Sequence, residues 1–124
     1  MKLRCAARNG HGPAIGMRKA IEVSCNPYFC SLGVHAGMDN MAAFIREFGF
    51  GRRTGVGLGG EAAALLPDDA WKRRRFKGEG WRPGDTANLS IGQGYMLATP
   101  IQMAMYAGAL ANCGTLFKPR LYSD

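Results

Sequence analysis

Proline and glycine cut this chain into short pieces, and that punctuation constrains its fold more than any other property. Eighteen glycines and six prolines are spread over 124 residues. Proline suits the first position of a helix, and glycine the position just past its end. Asn26-Pro27 therefore reads as an N-cap followed by proline at the first helical position. The helix it opens runs through Phe29, Leu32 and Ala36 and stops at Gly37. Upstream, Met17, Ala20, Ile21 and Ser24 recur at helical spacing, which puts Ser24 at the end of a short amphipathic helix. Downstream, Asp39 offers another N-cap, and Met41, Phe44, Ile45 and Phe48 form an apolar stripe ending at Gly49. Three short helices in succession are expected.

From Gly49 to Gly60 the glycines are too dense for a stable helix or a long strand. The stretch to Trp81 reads as loop, with Pro67 opening a turn or short helix and a basic run starting at Lys72. Ser90 to Gly94 reads as a tight turn. Thr99-Pro100-Ile101-Gln102 then has the form of a capping box with proline at the first position. The helix that follows, to about Asn112, is apolar nearly all round, which predicts a buried central helix. Thr115 to Tyr122 has strand character, and Pro119 confines it to an edge or a strand end.

A chain that is 47% hydrophobic and 20% charged can bury a core, which excludes a disordered tail. Its length suits one small domain or part of a larger one. Lys and Arg outnumber Asp and Glu by 16 to 9, and the resulting +7 favours an anionic neighbour such as nucleic acid or lipid headgroups. Met1-Lys2-Leu3-Arg4 leads into polar, glycine-rich sequence rather than the apolar core of a signal peptide. The longest uncharged stretch, Thr86 to Phe117, contains Asn88, Ser90 and Pro100 and does not read as a spanning helix. The piece is expected to be soluble.

Two motifs stand out. Ser24-Cys25-Asn26 lies within Val23-Ser24-Cys25-Asn26-Pro27-Tyr28-Phe29, and Ser90-Ile91-Gly92-Gln93-Gly94-Tyr95 follows later. A hydroxyl and an amide at i and i+2, where a helix gives way to a turn, can face one cleft and serve acyl transfer. The plainer alternative makes Ser24 a helix-end residue and Asn26 an N-cap, and one residue can fill both roles. With Trp71-Lys72-Arg73-Arg74-Arg75-Phe76, these motifs closely resemble the transpeptidase domain of the penicillin-binding protein 2 family, from about Asn9 to the last residues.

The resemblance implies a mostly α piece of an α/β domain of the serine β-lactamase and transpeptidase type, made of helices plus a short C-terminal strand. It implies a peptidoglycan D,D-transpeptidase that cross-links stem peptides through an acyl-serine and is acylated by β-lactams. Ser24 would join the proton relay and Asn26 would hydrogen-bond the substrate amide. Peptidoglycan stem peptides, β-lactams and other cell-wall elongation proteins are the implied partners. The intact parent would be anchored in the bacterial inner membrane with its catalytic domain in the periplasm.

Residues 1–124 read as a partial domain, because that chemistry also needs an S-x-x-K and a K-T-G, and neither occurs here. Catalysis by this chain alone is not expected. Arg53-Thr54-Gly55 imitates the third motif, but it follows the triplet too closely and sits in a glycine-rich loop. Gly55-Val56-Gly57-Leu58-Gly59-Gly60 matches G-x-G-x-x-G by letter, without the strand and helix that a dinucleotide site requires. Lys72 to Lys77, interleaved with Trp71 and Phe76, supports an alternative of another class: a non-enzymatic basic module binding nucleic acid or anionic lipid. A solvated basic face is the plainer reading of that run, and under the family resemblance no nucleic acid is expected.

The four cysteines, at 5, 25, 30 and 113, do not form a zinc-ribbon or C-x-x-C pattern and read as buried or free thiols. One grouping is an exception. Cys5, His11 and Cys25 bracket the loop Asn9-Gly10-His11-Gly12-Pro13, and two thiolates with an imidazole suit a structural zinc. The fourth ligand would be water or a residue upstream of Met1. Catalysis itself calls for no cofactor. His35 falls inside a predicted helix, as a surface or packing residue.

Overall fold

A computed structural model describes Cys5, Gly10, His11 and residues 14–122. Residues 1–4, together with Asn9, Gly12 and Pro13 of the glycine loop, lie outside the described residues. The described chain is mostly helical and contains no sheet. It divides into two compact units, one built from the chain up to Asp39 plus Asp68–Gly94, the other from Asn40–Pro67 plus the chain from Tyr95.

In the first unit, α1 (Met17–Glu22) leads through a turn into α2 (Asn26–Ala36), which ends at Gly37 with φ 82°. Asn26 is the first residue of α2, and the cap position falls to Cys25, whose side chain makes no capping hydrogen bond. The expected Asn26 cap is therefore corrected by one residue, within the ordinary uncertainty of helix ends. α2 packs on α5 (Pro83–Leu89), where the Cys30 thiol donates to the Ala87 carbonyl at 3.3 Å. Cys30, Gly33 and Ala87 are all buried, so small side chains let the two backbones approach.

The turn or short helix expected from Pro67 is α4 (Asp69–Arg75), capped by Asp68, whose carboxylate accepts from the Trp71 N–H at 2.7 Å. Lys72, read as part of an exposed basic run, is only 2% exposed. Its ammonium donates to Asp85 at 2.6 Å and pairs with Glu79 at 3.2 Å. A buried charge needs such partners, and here they tie α4 to the first turn of α5. The Asp85 hydrogen bond, reinforced by Glu79, holds the Lys72 pKa above its ordinary value despite the opposing effect of desolvation.

The second unit contains most of α3 (Met38–Glu47) and all of α6 (Pro100–Ala111). Edge-to-face aromatic pairs knit them, Phe44 on Phe48 at 5.2 Å and Phe48 on Tyr106 at 5.1 Å. α6 opens on a capping box as expected: the Thr99 hydroxyl accepts from the Gln102 N–H, and the Gln102 side chain accepts from the Thr99 N–H. Gln102 is fully buried, and its amide also donates to the carbonyls of Arg52 at 2.8 Å and Ala63 at 3.0 Å. One side chain thus caps a helix and closes the loop that precedes it. At Gly51, φ is 75° and an added Cβ would lie 2.9 Å from the Leu66 Cβ, so this turn requires glycine.

Two expectations for this unit are corrected. α6 is not buried all round: Met103 is 49% and Leu110 61% exposed, because no element among the described residues covers that face. Residues 115–122 form no ladder among the described residues, where a single antiparallel bridge joins Leu65 and Leu97. A strand needs a partner for its N–H and C=O groups, and Pro119 removes one donor.

Candidate functional site

Ser24 lies where α1 closes. Its N–H donates to the Ile21 carbonyl at 3.1 Å, and the Cys25 N–H reaches back to Ala20 at 2.9 Å. That pair of bonds is a Schellman closure, whose left-handed position usually belongs to glycine. Here Ser24 occupies it with φ 50°. Such a conformation costs an L-residue about 1–2 kcal/mol. Ala20 and Cys25, the two positions whose apolar contact often accompanies the motif, are both buried.

The closure sorts the triplet by face. Ser24 and Asn26 are exposed, while Cys25 between them is 5% exposed. Among the described residues the Ser24 hydroxyl has no hydrogen-bond partner, so it remains able to accept or donate a proton. Behind the turn, the ligand atoms of Cys5, His11 and Cys25 all lie within 4.8 Å of one another, with Cys5 Sγ 3.1 Å from His11 Nδ1. In a tetrahedral zinc site with bonds of about 2.0–2.3 Å the ligand atoms stand about 3.3–3.8 Å apart, so holding the ion would open the Cys5–His11 pair slightly and draw the wider pairs in by up to about 1.5 Å. They line a cavity of about 580 Å³ that also takes in Ile15, Tyr28 and His35. His35 is exposed and shares this cavity with the thiols, which its position within a predicted helix does not signal.

The second motif follows α5. Ser90 caps that helix, and its hydroxyl donates to the Thr86 carbonyl at 2.6 Å. The Gln93 N–H returns to the Asn88 carbonyl at 2.9 Å, with Gly92 inside this loop and Gly94 just beyond it both at positive φ. The tight turn expected at Ser90 to Gly94 is present, and it closes α5.

The decoy motifs separate cleanly. Thr54 donates to Glu61 through both its N–H and its hydroxyl, and the Gly55 N–H adds a third bond at 3.1 Å. Those donors, the Thr54 hydroxyl foremost, hold the Glu61 carboxyl below its ordinary pKa. Arg53-Thr54-Gly55 is thus part of a closed loop and not of a strand. No helix receives the Gly55–Gly60 segment, since the next one starts at Asp69, which removes the nucleotide reading. The basic run is divided as well: Lys72 is buried and paired, and Arg73 binds Asp69 at 2.6 Å.

Residues 5–124 match the family model described as the penicillin binding protein transpeptidase domain. The chain belongs to that family. It is 42% identical to the peptidoglycan D,D-transpeptidase MrdA of Acinetobacter baumannii over 120 residues, 97% of this chain and 18% of that protein. It is similar to the penicillin-binding protein PBP2 of Helicobacter pylori, solved in complex with MreC, at 40% identity and a TM-score of 0.85. That match covers 97% of this chain and 22% of the other. PBP2 of Pseudomonas aeruginosa, solved with WCK 5153, matches at 42% identity and a TM-score of 0.79, over 86% of this chain and 24% of that one. The chain therefore spans about a fifth of these relatives. No described helix is long and apolar enough to cross a membrane.

Proposed function

We propose that this chain is the S-x-N-bearing part of a peptidoglycan D,D-transpeptidase, which takes a stem peptide as an acyl-serine and passes it to an amine on a second strand. The observation that carries the reading is the Ser24 turn. A strained Schellman closure presents Ser24 and Asn26 outward, with a hydroxyl that no other described residue engages, while Cys25 anchors the turn from behind. Local strain of this kind, held in place by its surroundings, is characteristic of functional sites.

In this reading Ser24 relays a proton between the attacking serine and the leaving amine, and Asn26 donates to the amide of the substrate. The nucleophile and its lysine, as S-x-x-K, and the K-T-G strand come from other parts of the complete enzyme, since this sequence contains neither. β-Lactams acylate the same serine as the stem peptide. Residues 115–122 become an edge strand once a neighbouring strand pairs with them. The parent works in the periplasm from an inner-membrane anchor, beside other elongation proteins, as the PBP2–MreC complex of Helicobacter pylori suggests by analogy.

Fluorescent penicillin tests the assignment. The chain alone should take no covalent label, and the complete enzyme should label at a serine other than Ser24. Labelling of the chain alone that disappears in Ser24→Ala would make Ser24 the nucleophile and overturn the assignment.

Cys5, His11 and Cys25 hold a structural zinc that braces the back of the triplet, with no part in the bond-making steps. Zinc measured on tag-free protein should approach one equivalent and fall in Cys25→Ser. A content well below one equivalent, unchanged by that substitution, would leave these residues as ordinary thiols and a loop imidazole.

A further inference from the structure

We propose that Cys5 and Cys25 are also a redox pair, a dithiol that a small external disulfide converts into an intramolecular disulfide behind the Ser24-Cys25-Asn26 turn. The two sulfurs lie no more than 4.8 Å apart, and a disulfide requires about 2.05 Å. Cys5 lies outside any helix, so no helical hydrogen bond opposes its approach. The other cysteines differ. Cys30 is engaged with Ala87 inside the α2–α5 contact, where burial raises its pKa and disfavours the reactive thiolate. Cys113 is exposed and outside the cluster.

Exposure sets the order of events. Cys5 is half-buried and borders the cavity, whereas Cys25 is 5% exposed. The Cys5 thiolate attacks one sulfur of the external disulfide, whose S–S bond breaks, and the first small thiol leaves with the proton Cys5 gave up. Cys25 then attacks the Cys5 sulfur of the mixed disulfide, and the second small thiol leaves with the Cys25 proton. Two protein thiols are oxidised and one external disulfide is reduced to two thiols. Because Cys25 stands between Ser24 and Asn26, its oxidation state bears directly on the turn that presents them. If zinc is held as proposed, it and the disulfide exclude one another, since both use the same two sulfurs.

The test treats reduced, metal-free protein with oxidised glutathione, alkylates the remaining thiols in denaturant and maps the peptides by mass spectrometry. The expected product joins the Cys5 and Cys25 peptides, leaves Cys30 alkylated, and is absent from Cys5→Ser, a half-buried position outside any helix, with far-UV circular dichroism confirming the fold. Glutathione on Cys5 with Cys25 fully alkylated would overturn the proposal. A parallel sample loaded with zinc separates the two ideas. Linkage in a protein that takes up no zinc upholds the redox pair and removes only the metal; zinc uptake by reduced protein that never links removes only the redox pair.

Discussion

Ser24 and Ser90 each sit in a turn that closes a helix of the first unit, yet their hydroxyls have different fates. Ser90 keeps φ at −62° and donates to Thr86, one turn back in α5. Ser24 is held at φ 50°, and among the described residues its hydroxyl has no partner. Both closures satisfy the orphan backbone groups of a helix end. Only one leaves a reactive group outside that settlement, and it does so at a backbone cost. A serine motif therefore becomes a candidate for chemistry through what its hydroxyl does not bond.

Replacing each serine separates the two roles. In the complete enzyme, Ser24→Gly should slow acylation by about a hundredfold or more, the range for losing a positioned proton-transfer group. Its melting temperature should hold or rise, because glycine relieves the left-handed strain, an effect of up to about 1 kcal/mol after its own entropy cost. Equal loss of activity and stability in Ser24→Gly would erase the distinction between the turns.

The fully satisfied polar group of the second unit gives the opposite profile. Gln102→Ala should cost about 3 kcal/mol in denaturant unfolding, since it strands the Arg52 and Ala63 carbonyls and the Thr99 N–H. A cost near zero would mean that water reaches those groups freely. Ser90→Ala should cost about 1 kcal/mol, one side-chain hydrogen bond, and leave acylation close to wild type.

Acid stability provides the smallest effect. The Arg73 guanidinium, followed by the Trp81 N–H, holds the Asp69 carboxyl below its ordinary pKa. A depressed folded pKa contributes stability above the unfolded value and loses it as pH falls through the folded one. Asp69→Asn should therefore flatten the fall in melting temperature below the ordinary carboxylate range. An unchanged acid limb would show that the Arg73 pair contributes nothing.

Much of this was legible in the sequence, for local reasons. Pro27 and Pro100 mark the starts of α2 and α6, and Gly37 marks a stop, because each acts on its own backbone. The exposed–buried–exposed pattern of Ser24, Cys25 and Asn26 follows from adjacent residues. The grouping of Cys5, His11 and Cys25 was also readable, since Cys5 and Cys25 flank the loop that carries His11. α5 was missed because Arg82-Pro83-Gly84-Asp85 looks like a turn, although Pro83 at the start and Asp85 accepting from the Arg82 N–H are helix signals. Lys72 was misread for a different reason. Its partner Asp85 is thirteen residues away, and nothing in a run of basic residues reveals which member turns inward.

Asn26 carries the central claim, because Ser24→Gly changes the backbone as well as the side chain. The most direct measurement is the acylation rate of the complete enzyme by a penicillin, compared for wild type and Asn26→Ala alongside their melting temperatures. Asn26 is exposed, and among the described residues its side chain makes no hydrogen bond, so its loss should scarcely move the melting temperature. Acylation should slow by on the order of a hundredfold, as expected when a donor positioned on the reacting amide is removed. A variant that melts early but, once folded, acylates at the wild-type rate would show that Asn26 only supports the helix, and the account of the site would be wrong.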